Sequence, residues 1–127
     1  MSEPDPQRFR ELMLAEEPGF EDVLRCVFSI QPHESHLYLT LLEQPNSTMD
    51  ELASVTDRDR TNISRSLATL REKGLASRYR RLLDDGGHVY RHEPTSLDEA
   101  KDLMHYTLDE WSAYVHTRID DFGDGSL

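Results

Sequence analysis

Apolar side chains recur three or four positions apart through most of the chain, and this spacing predicts a mostly helical protein. Asp5 can cap a first short helix that starts at Pro6, a position that needs no amide proton. The Pro18-Gly19 pair ends this helix. A second apolar stripe occupies residues 20–28, and it predicts a second helix of similar length.

The next pattern is a buried helix followed by a short, strongly capped one. Gln31-Pro32 is expected to end the second helix, and the third covers residues 34–43. That third helix is apolar on most sides, so we expect it to be central and buried. The run Thr48-Met49-Asp50-Glu51 then forms a capping box, because the Thr48 hydroxyl can accept from the Glu51 amide while Glu51 reaches back. It predicts the start of a short fourth helix.

A fifth helix is predicted over residues 60–73, with one apolar and one polar side. Asp59 can cap its start, and Gly74 can supply the left-handed residue that ends a helix. The outer face carries arginine and short hydrogen-bonding side chains, with no acid before Glu72. Its inner stripe follows the i, i+4, i+7 spacing and consists of Ile63, Leu67 and Leu70.

Residues 76–83 and 88–92 predict a two-stranded hairpin. The sequence between them is Asp84-Asp85-Gly86-Gly87, which favours a tight turn because glycine accepts the positive φ that such turns need. The strands contain four arginines, so the hairpin is expected to be basic.

A second capping box, Ser96-Leu97-Asp98-Glu99, predicts a long helix that ends near Asp121. Its apolar stripe is too long for so small a body to cover alone, and it is typical of a seam between paired helices. We therefore expect a homodimer. The predicted seam residues are Phe20, Leu24, Met104, Leu108, Trp111, Val115, Ile119 and Phe122.

Composition limits the location and the partners of the chain. Its net charge is −11, from 14 basic and 25 acidic residues, and only two of the basic residues are lysines. An acidic, lysine-poor surface is typical of proteins from halophilic archaea. No apolar run approaches the roughly 20 residues that span a bilayer, and the N-terminus lacks a signal-peptide pattern. Cys26 is the single cysteine, which fits a reducing compartment. We therefore expect a cytoplasmic protein without a membrane partner.

The charge is unevenly distributed along the chain. Residues 58–91 hold nine basic and four acidic residues, for a net charge of +5, whereas the remainder carries −16. An acidic protein repels nucleic-acid phosphates as a whole, but one basic segment can bind them. The order of buried helix, capped helix, turn, polar-faced helix, glycine stop and basic hairpin is that of a winged helix-turn-helix.

The predicted fold is thus mostly α with a small β-hairpin. N-terminal helices occupy residues 1–32, the winged helix-turn-helix residues 33–93, a dimerisation helix residues 94–122, and a polar tail residues 123–127. Such a protein is expected to bind double-stranded DNA sequence-specifically, as a dimeric transcriptional regulator. The recognition helix would enter the major groove, and the wing would lie on the backbone or in the minor groove.

The residues predicted to contact DNA fall into three groups. The recognition helix and its approach contribute Arg58, Arg60, Thr61, Asn62, Ser64, Arg65 and Thr69. The wing contributes Arg78, Arg80, Arg81, His88 and Arg91. Thr48 adds a contact at the cap of the bracing helix. Arginine can hold guanine, and asparagine adenine, through two hydrogen bonds each.

Four stretches within residues 33–91 carry a family resemblance: Tyr38-Leu39-Thr40-Leu41-Leu42, Thr48-Met49-Asp50-Glu51-Leu52-Ala53, Arg60-Thr61-Asn62-Ile63-Ser64-Arg65-Ser66-Leu67 and Leu70-Arg71-Glu72-Lys73-Gly74-Leu75. They resemble archaeal, in particular haloarchaeal, winged helix-turn-helix regulators of the TrmB and MarR types. The resemblance covers about half of the chain. It implies a homodimer on a two-fold DNA site, with its recognition helix at residues 60–73 and its wing at 78–91.

Two other functions remain open at this point. The first is a protein-interaction module of the transcription machinery, which should expose Leu, Phe or Tyr on residues 60–73; that face carries none. The second is a redox- or ligand-sensing variant that acts through Cys26 or the Trp111 region. The sequence identifies no small-molecule effector, operator, target gene or direction of regulation.

The sequence contains no motif that indicates a metal site, a cofactor site or a catalytic site. The chain has six histidines, but it lacks a second cysteine or a tight His-Asp-Glu cluster, so we expect no metal site. His88 and His92 could instead contact phosphate. Because no nucleophile elbow, phosphate loop or HExxH motif occurs, we expect neither an enzyme nor a cofactor.

Overall fold

The structure is a computed structural model that describes residues 6–14 and 17–123. The expected cap Asp5 and most of the expected tail, residues 124–127, lie outside these ranges. The elements in chain order are α1 (Pro6–Leu14), α2 (Phe20–Phe28), α3 (Pro32–Glu43), α4 (Met49–Thr56), α5 (Arg60–Glu72), β1 (Ala76–Leu82), β2 (His88–Pro94) and α6 (Leu97–Asp121). The prediction of a mostly helical chain with one small antiparallel hairpin is confirmed.

The start of α3 differs from the prediction. The helix α3 begins at Pro32 rather than at residue 34, with Gln31 as its extended N-cap residue. The Gln31 amide donates to Glu34 Oε1 at 2.7 Å, and proline at the first helical position needs no amide partner. The helix α2 has already ended, because Ser29 adopts a left-handed conformation with φ 55°. Pro32 therefore opens one helix instead of closing the other.

The chain divides into two units, which we describe separately. The central unit is Ile30–Ala100 and contains α3, α4, α5 and both strands. The terminal unit consists of the described residues up to Ser29 and those from Lys101 onward. Every predicted DNA-contact residue lies in the central unit, and every predicted seam residue lies in the terminal unit.

The core of the central unit forms around α5. The helices α3 and α4 pack against α5, while β2 contacts α3 and α4 and β1 contacts α5. Burial of each large apolar side chain contributes about 1.5–3 kcal/mol. The predicted inner stripe of α5 is confirmed, since its three members are buried. The large side chains fully buried in this unit are Ile30, Leu37, Tyr38, Leu41, Leu52, Ile63, Leu67, Leu70 and Leu75.

The base of the hairpin is pinned to the helices by hydrogen bonds. Gly74 takes φ 80° and ends α5, which lets the Leu75 amide return to the Leu70 carbonyl at 2.8 Å. At the end of the returning strand, the Thr95 amide donates to the Leu75 carbonyl at 2.8 Å. The Tyr38 hydroxyl of α3 then donates to the Thr95 carbonyl at 2.7 Å. The hairpin therefore emerges from a fixed point of the helical core.

In the terminal unit, two of the predicted seam residues are buried within the chain, and a third is partly covered by another side chain of the same chain. Leu24 is fully buried and Met104 is 7% exposed, so both are core residues of the single chain. The ring of Trp111 stacks on Phe9 with 4.9 Å between centroids, so one of its faces is already covered. Apolar periodicity identifies a buried face but not the element that covers it. Cys26 is also buried.

Replacing Tyr38 with phenylalanine should lower the free energy of unfolding by about 1 kcal/mol, because the Thr95 carbonyl loses its donor. Burial raises the pKa of Tyr38 to about 12 from the usual 10.0. Its neutral form therefore stabilises the folded chain below pH 10, and this contribution is lost as the pH rises from 10 to 12.

Urea unfolding at neutral and alkaline pH would measure both effects. Tyr114→Phe is the matched control, because Tyr114 is 54% exposed on α6. Equal stability losses in the two variants would contradict the assigned role of Tyr38.

Candidate nucleic-acid interface

The helices α4 and α5 each begin at a side-chain N-cap, and one residue in the left-handed conformation lies between them. The Thr48 hydroxyl accepts from the Glu51 amide at 3.1 Å, and Glu51 Oε1 accepts from the Thr48 amide at 3.4 Å, so the predicted capping box is present. Asp57 ends α4 with φ 54°. The Asp59 carboxylate then accepts from the Asn62 amide at 2.8 Å and starts α5. These local bonds fix the direction in which α5 leaves α4.

The outward face of α5 is polar and free of acidic side chains until Glu72. Thr61, Ser64 and Arg65 are exposed on this face. The predicted contact residue Thr69 is half-buried. The helix therefore presents hydroxyls and one guanidinium group outward, and these groups can hydrogen-bond to base edges.

Three other residues predicted for this face are held by neighbours. The Arg60 Nε atom lies 3.0 Å from Asp50 Oδ1 in an exposed ion pair. The Asn62 side-chain amide donates to Asp59 at 3.1 Å, and Arg58 Nη2 donates to the Ser66 hydroxyl at 3.2 Å. Arg58 is half-buried, so its guanidinium group fixes the turn before α5. Contact with DNA would require these side chains to exchange one partner for another.

Cross-strand register divides the hairpin arginines between two faces. Arg78 pairs with His92 and Arg80 pairs with Tyr90, and residues paired directly across strands share a face. Arg81 pairs with Val89 on the opposite face. The hairpin is thus positive on both sides.

The tip of the hairpin has a different character from its stem. Leu82 is 79% exposed and Leu83 is 46% exposed. Asp84 and Asp85 follow them in the turn, which Gly86 closes with φ 88°. The tip is therefore apolar and acidic, so the positive charge lies along the strands.

Arg91 has a different role from the predicted DNA contact. Its Nη1 atom donates to the Asn46 carbonyl at 2.8 Å and lies 3.4 Å from Glu51 Oε1. Asn46 takes φ 63°, and its side-chain oxygen also accepts from the Tyr79 hydroxyl. These contacts hold the hairpin to the start of α4, so Arg91 is a positioning residue in this structure. The prediction depended on residue type alone, whereas the segment before α4 lies against this end of β2 and binds the side chain.

His92 is likewise not a surface residue. Only 4% of it is exposed, and its backbone pairs with Ser47 through bonds of 2.8 and 3.3 Å. Burial, followed by the charges of Arg71 and Arg78, lowers the pKa of His92 to about 4. The imidazole is therefore neutral at pH 7. The expectation of a phosphate contact at the surface is corrected for His92, whereas His88 is exposed.

Arg71 is the residue of this region that the sequence interpretation missed. It lies half-buried near the end of α5, and burial together with the charge of Arg78 lowers its pKa. The spacing of α5 carried a signal for it, because Arg71 lies seven residues after Ser64 and therefore on the same side of the helix. It lines a groove of about 230 Å³ between α5, the start of α4 and the hairpin.

No described helix combines the length and the apolar character of a membrane-spanning segment. The described residues also contain no group of three or more His, Cys, Asp or Glu side chains arranged to hold a metal ion.

Comparison with known sequences gives matches over most of the central unit. A family model described as "Sugar-specific transcriptional regulator TrmB" matches residues 24–95, which is more than half of the chain. A relative from Methanocaldococcus jannaschii, "Uncharacterized protein MJ1082", is 33% identical over 91 residues. That match covers 72% of this chain and 75% of the relative.

Comparison with solved structures supports the same architecture. A possible transcriptional regulator from Methanosarcina mazei Go1 has a TM-score of 0.73 at 21% identity, covering 87% of this chain and 93% of that one. A mutant of S. aureus MepR bound to an oligodeoxyribonucleotide has a TM-score of 0.51 at 17% identity, covering 81% and 73%. These likenesses establish the winged helix-turn-helix fold.

Because the pKa of His92 is about 4 in the folded chain and 6.5 in its ordinary state, protonation favours unfolding. The stabilisation by neutral His92 is present above pH 6.5 and is lost as the pH falls toward 4. The full effect amounts to about 3 kcal/mol at the 1.36 kcal/mol that one pKa unit represents.

The variant His92→Leu should therefore lose less stability than the wild type between pH 6.5 and pH 4. Denaturant unfolding across this interval measures the difference, with exposed His33→Leu as the control. Identical pH profiles for the wild type and His92→Leu would refute the assignment.

Proposed function

The chain belongs to the TrmB family of transcriptional regulators, and on that premise we propose that it binds double-stranded DNA sequence-specifically as a homodimer. In this proposal α5 enters the major groove, and the β1–β2 hairpin lies along the backbone or in the adjacent minor groove.

The observation that carries the proposal is the outward face of α5. This face exposes Thr61, Ser64 and Arg65, with Asn62 beside them, in a chain whose net charge is −11. A merely solvated helix of so acidic a protein would carry Asp and Glu there. A helix that binds protein would expose large apolar side chains. The face has neither, and its groups are those that hydrogen-bond to base edges.

The hairpin supplies charge beside this helix. Arg80 and Arg81 are exposed on opposite faces of the strands, and Arg78 and His88 are exposed near them. Phosphate contacts of this kind give affinity without sequence information. In this proposal, α5 therefore provides sequence specificity, and the stem of the hairpin provides affinity for any DNA sequence.

The proposed dimer seam follows α6. Ile119 is 61% exposed and Phe122 is 71% exposed, and Val115 and Leu108 on the same stripe are half-buried. Large apolar side chains in a row on a helix surface usually have a partner. A second copy of α6 supplies a matching stripe, and a two-fold dimer would place the two recognition helices about 34 Å apart, one turn of DNA.

Arg65→Ala should weaken binding to a preferred duplex by about 1–3 kcal/mol and relax base preference, because it removes a group that can reach base edges. Arg80→Ala should weaken binding to all duplexes alike and should reduce the salt slope by about 1. Selection from a random duplex pool, followed by fluorescence anisotropy over a range of KCl concentrations, distinguishes the two effects.

The control for both variants is Arg10→Ala, which removes an exposed arginine from the terminal unit. It should leave affinity and base preference unchanged. If neither Arg65→Ala nor Arg80→Ala differs from this control, α5 and the hairpin do not form the interface.

Ile119→Asp should shift the chain toward monomer, because it places a charge in the proposed apolar seam. Sedimentation equilibrium measures the change in dimer dissociation constant. Ala113→Asp adds the same charge to an exposed position of α6 off the stripe and should leave assembly intact. A wild-type chain that sediments as a monomer at all concentrations would overturn the seam but not the interface.

A further inference from the structure

The groove between α4, α5 and the hairpin collects cationic groups. Arg60, Arg71, Arg78, His88 and His92 are among the residues that line it. The Arg78 guanidinium carbon lies 4.3 Å from the centre of the Tyr90 ring, which holds this side chain over the groove. Crowding like charges at one place is unfavourable unless something negative lies among them.

Among the described residues, a carboxylate pairs with Arg60 but with neither Arg71 nor Arg78. Asp50 lines the groove, but its carboxylate is already paired with Arg60. Within the described ranges, Arg71 and Arg78 form no ion pair with any carboxylate. Two guanidinium groups thus face the groove with their charge uncompensated by the protein.

An unpartnered buried atom gives independent evidence for a ligand. His92 is 96% buried, and its Nδ1 atom has no hydrogen-bond partner among the described residues. Buried polar atoms in native proteins almost always have a partner. The imidazole lines the groove beside Arg71 and Arg78, but Nδ1 itself is covered as the side chains stand. An acceptor in the groove would satisfy Nδ1 as an N–H donor once a neighbouring side chain moves aside.

The size of the groove limits what can occupy it. Its volume of about 230 Å³ is below the 300–1,000 Å³ usual for pockets that enclose a drug-sized ligand. A single tetrahedral or planar oxyanion fits this volume. Guanidinium groups match the geometry of such anions through paired hydrogen bonds.

We propose that this groove is an oxyanion site, in which Arg71, Arg78 and His92 Nδ1 bind one phosphate-like or carboxylate group. Two sources share this chemistry. One is a backbone phosphate of bound DNA, and this source rests on the proposed function. The other is a free small anion that occupies the groove whether or not DNA is present.

The first experiment uses inorganic phosphate and the full chain without DNA. The side-chain ¹⁵N resonances of His92 should shift saturably with phosphate and not with KCl of equal ionic strength. Arg71→Gln and Arg78→Gln should each weaken this binding about tenfold or more, because each removes a charge-assisted hydrogen bond. Arg10→Gln should bind phosphate like the wild type.

Two features protect this test against misfolding of a variant. Arg78 is exposed, so Arg78→Gln removes a guanidinium group without disturbing the core. Arg71→Lys restores the charge without the paired geometry and should recover part of the affinity. A shift of His92 that does not saturate, or one that is equal in all variants, would eliminate the site.

The second experiment separates the two sources by anisotropy with a random-sequence duplex. If DNA supplies the anion, Arg71→Gln reduces the slope of log affinity against log KCl concentration by about one phosphate contact. If a free anion occupies the site, phosphate binding is lost in Arg71→Gln while the DNA slope equals that of the wild type. Should the wild type bind no DNA, the proposed function fails and the phosphate titration still decides the site.

Discussion

The arrangement of the central unit depends on the backbone pairing between Ser47 and His92. These two residues exchange hydrogen bonds of 2.8 and 3.3 Å and thereby attach β2 to the segment that precedes α4. Without this attachment, a two-stranded hairpin is at best marginally stable in water. The same pairing buries the His92 side chain against α5 and turns Arg91 toward Asn46. The position of the basic strands beside α5 therefore depends on this short stretch of sheet together with the hydrogen bonds at the base of the hairpin.

The local charge on α5 and the hairpin stem is opposite in sign to the net charge of the chain. The net charge of −11 repels polyanions at a distance, and salt at 0.1 M ionic strength screens that repulsion beyond about 10 Å. At contact distance, the nearest groups dominate the interaction with a polyanion. On α5 and the hairpin stem, these groups are arginines and hydroxyls. Two acidic side chains near this surface have partners within the protein: Asp50 pairs with Arg60, and Asp59 caps α5. The exposed acids Asp84 and Asp85 are confined to the hairpin tip.

Local signals in the sequence predicted the elements, whereas contacts distant in sequence decided the roles of several side chains. The Thr48–Glu51 box, the Asp59 cap, the α5 stripe and the Gly74 stop involve residues at most a few positions apart, so their pattern is visible in one dimension. The roles of Arg91 and His92 depend on pairing with residues more than 40 positions away. Arg71 meets Arg78 only because the chain turns back after Gly74. Likewise, periodicity placed Leu24 and Trp111 on apolar stripes of their helices. It could not show that other side chains of the same chain pack on them.

One carboxylate joins two elements that the sequence keeps apart. Glu51 Oε1 accepts from both the amide and the hydroxyl of Thr48, and the same oxygen lies 3.4 Å from Arg91 on β2. Fraying of the first turn of α4 would remove that oxygen from Arg91, and detachment of β2 would leave Glu51 with only its helix-capping bonds. The two movements are thermodynamically linked, so local opening in this region involves the helix start and the strand together, as one cooperative unit.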